Sequence, residues 1–131
     1  MEPFWKLAPS KIPPSRASST KAIELGLFAT RAGKHVIRFQ GDAVELVSMT
    51  SLKSWQRKYA LDTGHKTDQV VVPASQDNIF YGFHVQYCDD MPTHKLCWFD
   101  DSHHAHAYFE PIKSVSVGEE FSFTYSGPVS V

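Results

Sequence analysis

Seven histidines, two cysteines and 14 carboxylates in 131 residues supply most of the side chains here that could do chemistry. The densest group is His94, Cys97, Asp100, Asp101, His103, His104 and His106. Zinc would ask this group for about four ligands meeting tetrahedrally. The spacing is not finger-like, and His104 with His106, on one face of a strand, would make only a loose pair. No metal is assigned, and the segment reads as a polar hairpin tip. A histidine beside a carboxylate also has a proton affinity suited to acid–base work near neutrality, but sequence neighbours are not spatial neighbours across a pocket. Cys88 and Cys97 lack an identifiable activating base and read as small buried hydrophobes. Gly26 marks a place where the backbone needs positive φ or a close approach by another group. Gly118-Glu119-Glu120 reads as a loop whose carboxylates face solvent or cap a turn.

The elements that must position these residues are mostly strands. Residues 1–21 form an arm broken by Pro9, Pro13 and Pro14, with Phe4 and Trp5 able to pin it to the body. Apolar Leu25-Gly26-Leu27-Phe28-Ala29 follows. His35–Phe39 and Ala43–Val47 are β-rich, with Gln40-Gly41-Asp42 as a turn between them. Leu52, Trp55 and Tyr59 recur at helical steps, so 51–61 is the expected helix, capped by Thr50 or Ser51. The chain then returns to β at 69–72, 79–85, 95–99 and 105–112, the last two joined by a hairpin turn at 100–103. In the final strand Phe121, Phe123 and Tyr125 share one face, with Ser122 and Thr124 opposite. Many short strands, one helix and no sustained βα alternation imply a mostly β fold of several small sheets.

Composition narrows the function classes. The length suits one domain, expected at 22–131 behind the arm. Thirteen basic against 14 acidic residues leave a formal net charge of -1. There is no basic surplus to hold phosphates, so no nucleic acid partner is expected. No run approaches the ~18 apolar residues of a membrane span, and no secretory signal is legible at the N-terminus. Two cysteines are too few for a disulfide framework. The expected localisation is intracellular.

The order and separation of two phrases carry more. The opening Glu24-Leu25-Gly26-Leu27-Phe28-Ala29 and the closing Gly118-Glu119-Glu120-Phe121-Ser122-Phe123-Thr124-Tyr125 resemble the two ends of a SET domain. The resemblance spans roughly 22–127. The family's opening Gly-x-Gly stands here as Glu24-Leu25-Gly26, with only the second glycine present. Its Asn-His-Ser-Cys motif followed by Asp-Pro has two placements. Asp100–His103 matches the serine alone. Val85-Gln86-Tyr87-Cys88-Asp89 matches Cys and Asp and leaves 95–112 free for the hairpin the family places next. The second is preferred, and its eroded form is similar to the PR subgroup of the superfamily.

The resemblance implies a SET-like fold of small sheets with one short helix and a C-terminal segment threaded through a loop. It implies an N-methyltransferase that uses S-adenosylmethionine on a protein lysine. Leu25, Gly26, Val85 and Gln86 would line the cofactor site, and Tyr125 would orient the attacking amine. Tyr81, Phe83 and Tyr87 would wall the substrate channel. Val85 and Gln86 replace the family's Asn and His, and no cysteine-rich zinc tail is expected after Gly127, so the pocket would be closed by the chain's own residues, by the arm, or by a second copy in a homodimer. Two further readings keep the scaffold without methyl transfer: a small-molecule enzyme, such as a cyclase or isomerase of secondary metabolism, or a non-catalytic binding module.

Overall fold

The computed structural model describes residues 3–12, 24–39, 42–62, 69–88, 90–100 and 105–125. Among them the chain forms β1 (Trp5–Pro9), β2 (Leu25–Ala29), β3 (Ile37–Phe39), β4 (Val44–Ser48), β5 (Leu61–Asp62), β6 (Gln69–Pro73), β7 (Gln86–Tyr87), β8 (His94–Asp100), β9 (Ala105–Pro111) and β10 (Ser122–Tyr125). These make a two-stranded sheet β1-β2, a five-stranded sheet β3-β9-β8-β10-β7 and a three-stranded sheet β4-β6-β5. The fold is mostly β, in several small sheets.

Alternation builds the five-stranded sheet. Across the β8–β9 hairpin Leu96 pairs with Phe109 and Cys97 with Tyr108, so Leu96, Phe109 and Ala107 face inward while Cys97, Tyr108 and Glu110 face out. Ile37 and Phe39 of β3 join the inner face beside Phe109 and Ala107, with Arg38 outside. The turn at 101–103 lies outside the described residues. Residues 40 and 41 of the expected turn lie outside the described residues. β3 pairs with β9 and β4 with β6, so these successive strands belong to different sheets.

β10 runs parallel to both β7 and β8 and lies between them. Those neighbours are consecutive in the chain, and the Cys88 N–H donates to the Phe123 carbonyl at 2.9 Å as their connection passes β10. The last strand is thus enclosed by strands that precede it.

Three expectations change. Part of the arm is a strand: β1 pairs antiparallel with β2, Trp5 opposite Ala29 and Pro9 opposite Leu25. Ser10 donates to the Glu24 carbonyl and Thr30 to that of Phe4, so the even-numbered residues of β2 bond to β1. Pro9 falls at a non-bonded position, where its missing N–H costs nothing. Phe4 stacks on His35 at 4.5 Å and Trp5 on Tyr81 at 4.4 Å, which pins the segment.

The expected helix at 51–61 forms instead as 3-10 segments, Met49–Ser51 and Ser54–Tyr59. The tighter period buries Gln56, while Tyr59 of the Leu52–Trp55–Tyr59 stripe still packs against the core beside Phe83. The Gln56 amide donates to the Pro73 carbonyl and accepts from the Lys53 N–H, both at 3.0 Å. The β-rich run 79–85 folds as a 3-10 turn, Tyr81–His84. A Cβ on Gly82 would stand 2.7 Å from the Phe80 ring, 2.9 Å from that of Phe39 and 3.0 Å from Ile37, so only glycine lets this turn lie against the sheet. The core lies between the inner face of the five-stranded sheet, Leu27 and Ala29 of β2, Leu61 and Val71 of the three-stranded sheet, and Phe83 and Val85.

Candidate functional site

β2 has two edges. Its even-numbered residues face β1, and its odd-numbered residues direct backbone groups to the other side. There, Ala29 donates to Glu119 and accepts from Gly118, and Leu27 accepts from Phe121. Backbone pairing stops at Leu25, whose carbonyl instead accepts from the Gln86 side-chain amide at 2.8 Å. One exchangeable side chain therefore closes that end of the strand edge.

Gln86 begins β7, opposite Ser122, and Tyr87 lies opposite Phe123. The Tyr87 ring stands 5.7 Å from Phe123 and 5.6 Å from Tyr125, and Phe123 and Tyr125 are 5.4 Å apart. Leu25, Tyr87 and Tyr125 are 42%, 44% and 45% exposed, so β2, β7 and β10 each leave one apolar residue of a strip half exposed. In it the Tyr87 ring meets Tyr125, while Gln86, opposite Ser122 and so turned to the other face of β7, meets Leu25. Burial, with Asp62 and Tyr87 nearby, pushes the Tyr125 phenol up; a hydrogen bond from the Asp62 backbone opposes this. Tyr125 is therefore a protonated phenol at neutral pH.

The other expected site residues sit differently. Gly26 has no positive φ; the close approach it permits comes from the chain's own Glu120, whose carboxylate occupies the place a Cβ would take. That carboxylate accepts from the Ser10 hydroxyl at 2.5 Å and the Lys11 N–H at 2.8 Å, tying the end of β1 over Gly26. Glu119 caps its turn through the Ser116 N–H and pairs with Lys113 at 2.7 Å, which holds its carboxyl below the usual range. Val85 is buried in the core, next in chain to Gln86. Tyr81 and Phe83 pack with other rings than those of the strip. Tyr81 lies on Trp5 and Phe80, and Phe83 against Phe39 and Phe80. Gln86 thus meets Leu25, and Tyr87 meets Tyr125.

Three participants had no signal in the sequence. Asp62, on a two-residue strand of another sheet, contributes to the raised Tyr125 phenol. Glu120 reads locally as a solvent-facing loop carboxylate. Glu24 lies near His84, whose imidazole is pushed down by burial and Lys58 while Glu24 opposes them. Among the described residues no three His, Cys, Asp or Glu side chains gather as a metal site. His94 is buried, its ring nitrogens 2.7 Å from the Thr93 hydroxyl and the His35 carbonyl. Asp101, His103 and His104 lie outside the described residues. No helix among the described residues is long and apolar enough to cross a membrane.

These features, a final strand held between β7 and β8 beside an opening Leu-Gly-Leu-Phe-Ala strand, belong to a SET-like fold. Two solved structures share it. A candidate histone methyltransferase of Plasmodium falciparum superposes with a TM-score of 0.60 at 10% identity, over 98% of this chain and 96% of its own. The methyltransferase domain of human PR domain-containing protein 2 superposes with a TM-score of 0.58 at 14% identity, over 100% of this chain and 82% of its own. No protein-family model matches the chain, and no curated protein matches it by sequence.

Proposed function

We propose that the chain is an S-adenosylmethionine-dependent N-methyltransferase of the SET type that acts on a lysine of a protein. The observation that carries this reading is that β7 meets both ends of the chain's motif pair: Gln86 bonds to Leu25 of the opening strand, and the next residue, Tyr87, stands against Tyr125 of the closing one. The fold's likeness to two proteins described as methyltransferases supports the same reaction class.

The donor set of the strip suits the methionine end of the cofactor. Leu25 presents N–H and C=O on the edge where pairing has stopped, Gln86 brings both an amide donor and an acceptor, and Leu25 and Tyr87 add exposed apolar surface. Gly26 is covered on one side by Glu120, so ligand contact at β2 falls to Leu25. When bound, S-adenosylmethionine supplies a methyl group already activated on a sulfonium. The chain's own task is then orientation. The Tyr125 phenol oxygen accepts an N–H of the substrate amine and turns its lone pair in line, and the Tyr87 ring shields that nitrogen from water. Proximity and alignment of this kind supply most of such a rate gain.

Calorimetry with S-adenosylmethionine and its demethylated product, followed by peptide methylation, tests the reading. Binding of both and transfer to lysine are expected, with Tyr125→Phe losing on the order of tenfold or more in rate and little stability. Absence of heat at millimolar cofactor, with no competition by the product, would sink it.

A second reading, a SET scaffold without methyl transfer, rests on the same contacts viewed the other way. Gln86 already satisfies the Leu25 carbonyl, and Glu120 already fills the space at Gly26, so the chain closes both without a ligand. A small-molecule enzyme of this kind, or a binding module, needs no added cofactor. Turnover or ligand binding by a chain that takes up no S-adenosylmethionine would favour it.

A further inference from the structure

One face of β2 is crossed by a single side chain from the C-terminal part of the chain. Ala8 lies opposite Gly26 in the β1–β2 ladder, and Phe28 bridges antiparallel to Glu120 on the other edge. The period of two puts Ala8, Gly26, Phe28 and Glu120 on one face. The backbone on either side of Glu120 is fixed, because the Ala29 N–H donates to the Glu119 carbonyl and the Phe121 N–H to that of Leu27. From this anchor the Glu120 carboxylate passes over Gly26 to the arm. One oxygen accepts from the Ser10 hydroxyl at 2.5 Å, the other from the Lys11 N–H at 2.8 Å. The Ser10 hydroxyl oxygen accepts in turn from the Ile12 N–H at 3.1 Å, and the Lys11 ammonium stands 6.0 Å over the Phe28 ring. A Cβ on Gly26 would lie 3.0 Å from the Glu120 carboxyl carbon and 3.1 Å from the Ser10 Cβ, so the crossing closes only over glycine.

We propose that Glu120, Ser10 and Lys11 form a latch that holds the arm over Gly26, and that the methionine end of the cofactor opens this latch as it binds β2. The inference rests on the reading of β2 as the cofactor edge.

Three physical points support it. Both oxygens of one carboxylate are committed to the arm, so Glu120 cannot leave Gly26 without releasing two donors. Beyond Ser10 the arm is held by a relay, Lys11 on Glu120 and Ile12 on Ser10, so loss of one bond loosens the next. The relay is partly exposed, and water can satisfy its groups once it opens. Opening therefore costs only the small net worth of a few exchanged hydrogen bonds, which a bound ligand can offset. A ligand that prefers the open arrangement shifts the population toward it, and release of the arm favours the ligand by the same factor. Sequence gives no hint of this, because Ser10 and Glu120 stand 110 residues apart.

The test uses the full chain. NMR measures amide protection of Lys11 and Ile12 in wild type, Ser10→Ala and Glu120→Gln, with the Phe121 amide as reference. A soluble gadolinium chelate reads the exposure of the Gly26 α-protons. Calorimetry then follows titration of each chain with the demethylated product of S-adenosylmethionine. Both variants should lose roughly threefold to tenfold protection at Lys11 and Ile12, the worth of about one net hydrogen bond. Phe121 should keep its protection, and Gly26 should relax faster. The product should bind both variants more tightly by a similar factor, and its binding to the wild type should lower protection at Lys11 and Ile12. Unchanged protection at Lys11 in both variants, or an equal loss at Phe121, would overturn the proposal. So would a product that binds parent and variants alike, or that raises protection at Lys11. A latch that opens as described in chains that all fail to take up the product would instead refute the cofactor reading and leave the seal over Gly26 standing.

Discussion

The interior around β8 and β10 and the strip on the β2–β7–β10 side use neighbouring strands, yet they treat polar groups in opposite ways. In the interior, Thr93 and Ser122 exchange bonds: the Thr93 N–H donates to the Ser122 hydroxyl at 3.2 Å, and the Ser122 N–H to the Thr93 hydroxyl at 2.9 Å. The Thr93 hydroxyl proton is shared between His94 Nδ1 and the Ser122 carbonyl, while His94 Nε2 donates to the His35 carbonyl. Among the described residues no buried side-chain nitrogen or oxygen lacks a partner. The strip instead leaves Leu25, Tyr87 and Tyr125 half exposed, and its strand edge is closed by one side chain. A closed network of backbone and short side chains cannot be traded for a ligand without loss, since each unpaired group costs about 1–3 kcal/mol. A single surface amide can be traded, and exposed rings gain by being covered. The difference separates what holds the fold from what can meet a partner.

The largest effect should come from the interior. Phe121 is fully buried, with its ring 5.3 Å from His94 and 6.1 Å from both Phe4 and His35. Phe121→Ala should cost about 3–5 kcal/mol in urea unfolding, whereas Tyr125→Phe should stay within about 1 kcal/mol. Similar costs at the two positions would erase the contrast.

The next test is pH. Burial pushes the His94 imidazole below its ordinary value of 6.5, so below that value the unfolded chain binds a proton that the native chain resists. Stability is therefore complete above about 6.5 and declines as pH falls toward the depressed native value, by at most about 1.4 kcal/mol per pH unit for one such group. His84, also pushed down, contributes with the same sign. Melting curves between neutral and mildly acid pH should show this slope in the wild type and a shallower one in His94→Gln. Parallel slopes would mean that the interior network is not the acid-sensitive part.

The smallest effect sharpens the boundary between the two regions. Gly26→Ala puts a methyl where the Glu120 carboxylate lies, so Glu120 must swing away from Ser10 and Lys11. Losing those bonds should cost about 1–2 kcal/mol. Because the clash is with a flexible side-chain end, Glu120→Ala should absorb much of that cost. A double-mutant cycle in urea reads the coupling, and strict additivity would show that Glu120 does not seal this edge.

Much of the fold was legible because alternation is a local signal. Leu96 and Cys97, or Phe109 and Tyr108, declare their faces without reference to anything distant, and the turn residues at 100–103 mark the hairpin between them. The run Tyr81-Gly82-Phe83-His84 was misread as a strand because aromatic and β-branched composition suits either a strand or a tight buried turn. The need for Gly82 to lie against Ile37 and Phe39 decides it. The helix at 51–61 shows the same weakness, since the burial of Gln56 depends on a carbonyl at Pro73 that no local pattern announces. Of the site, the opening and closing phrases were legible as motifs. The Gln86 bond to Leu25 and the Glu120 contact with Gly26 were not.

The amino-acid sequence by itself determined the strand-rich class, the faces of β8, β9 and β10, and the two phrases that resemble a SET domain, because periodicity and motif order are properties of neighbours along the chain. Only the tertiary structure decided which side chain closes the edge of β2, what stands over Gly26, and which ring meets Tyr125. Those contacts join residues far apart in sequence, and their energies depend on distance and burial, which no local pattern encodes.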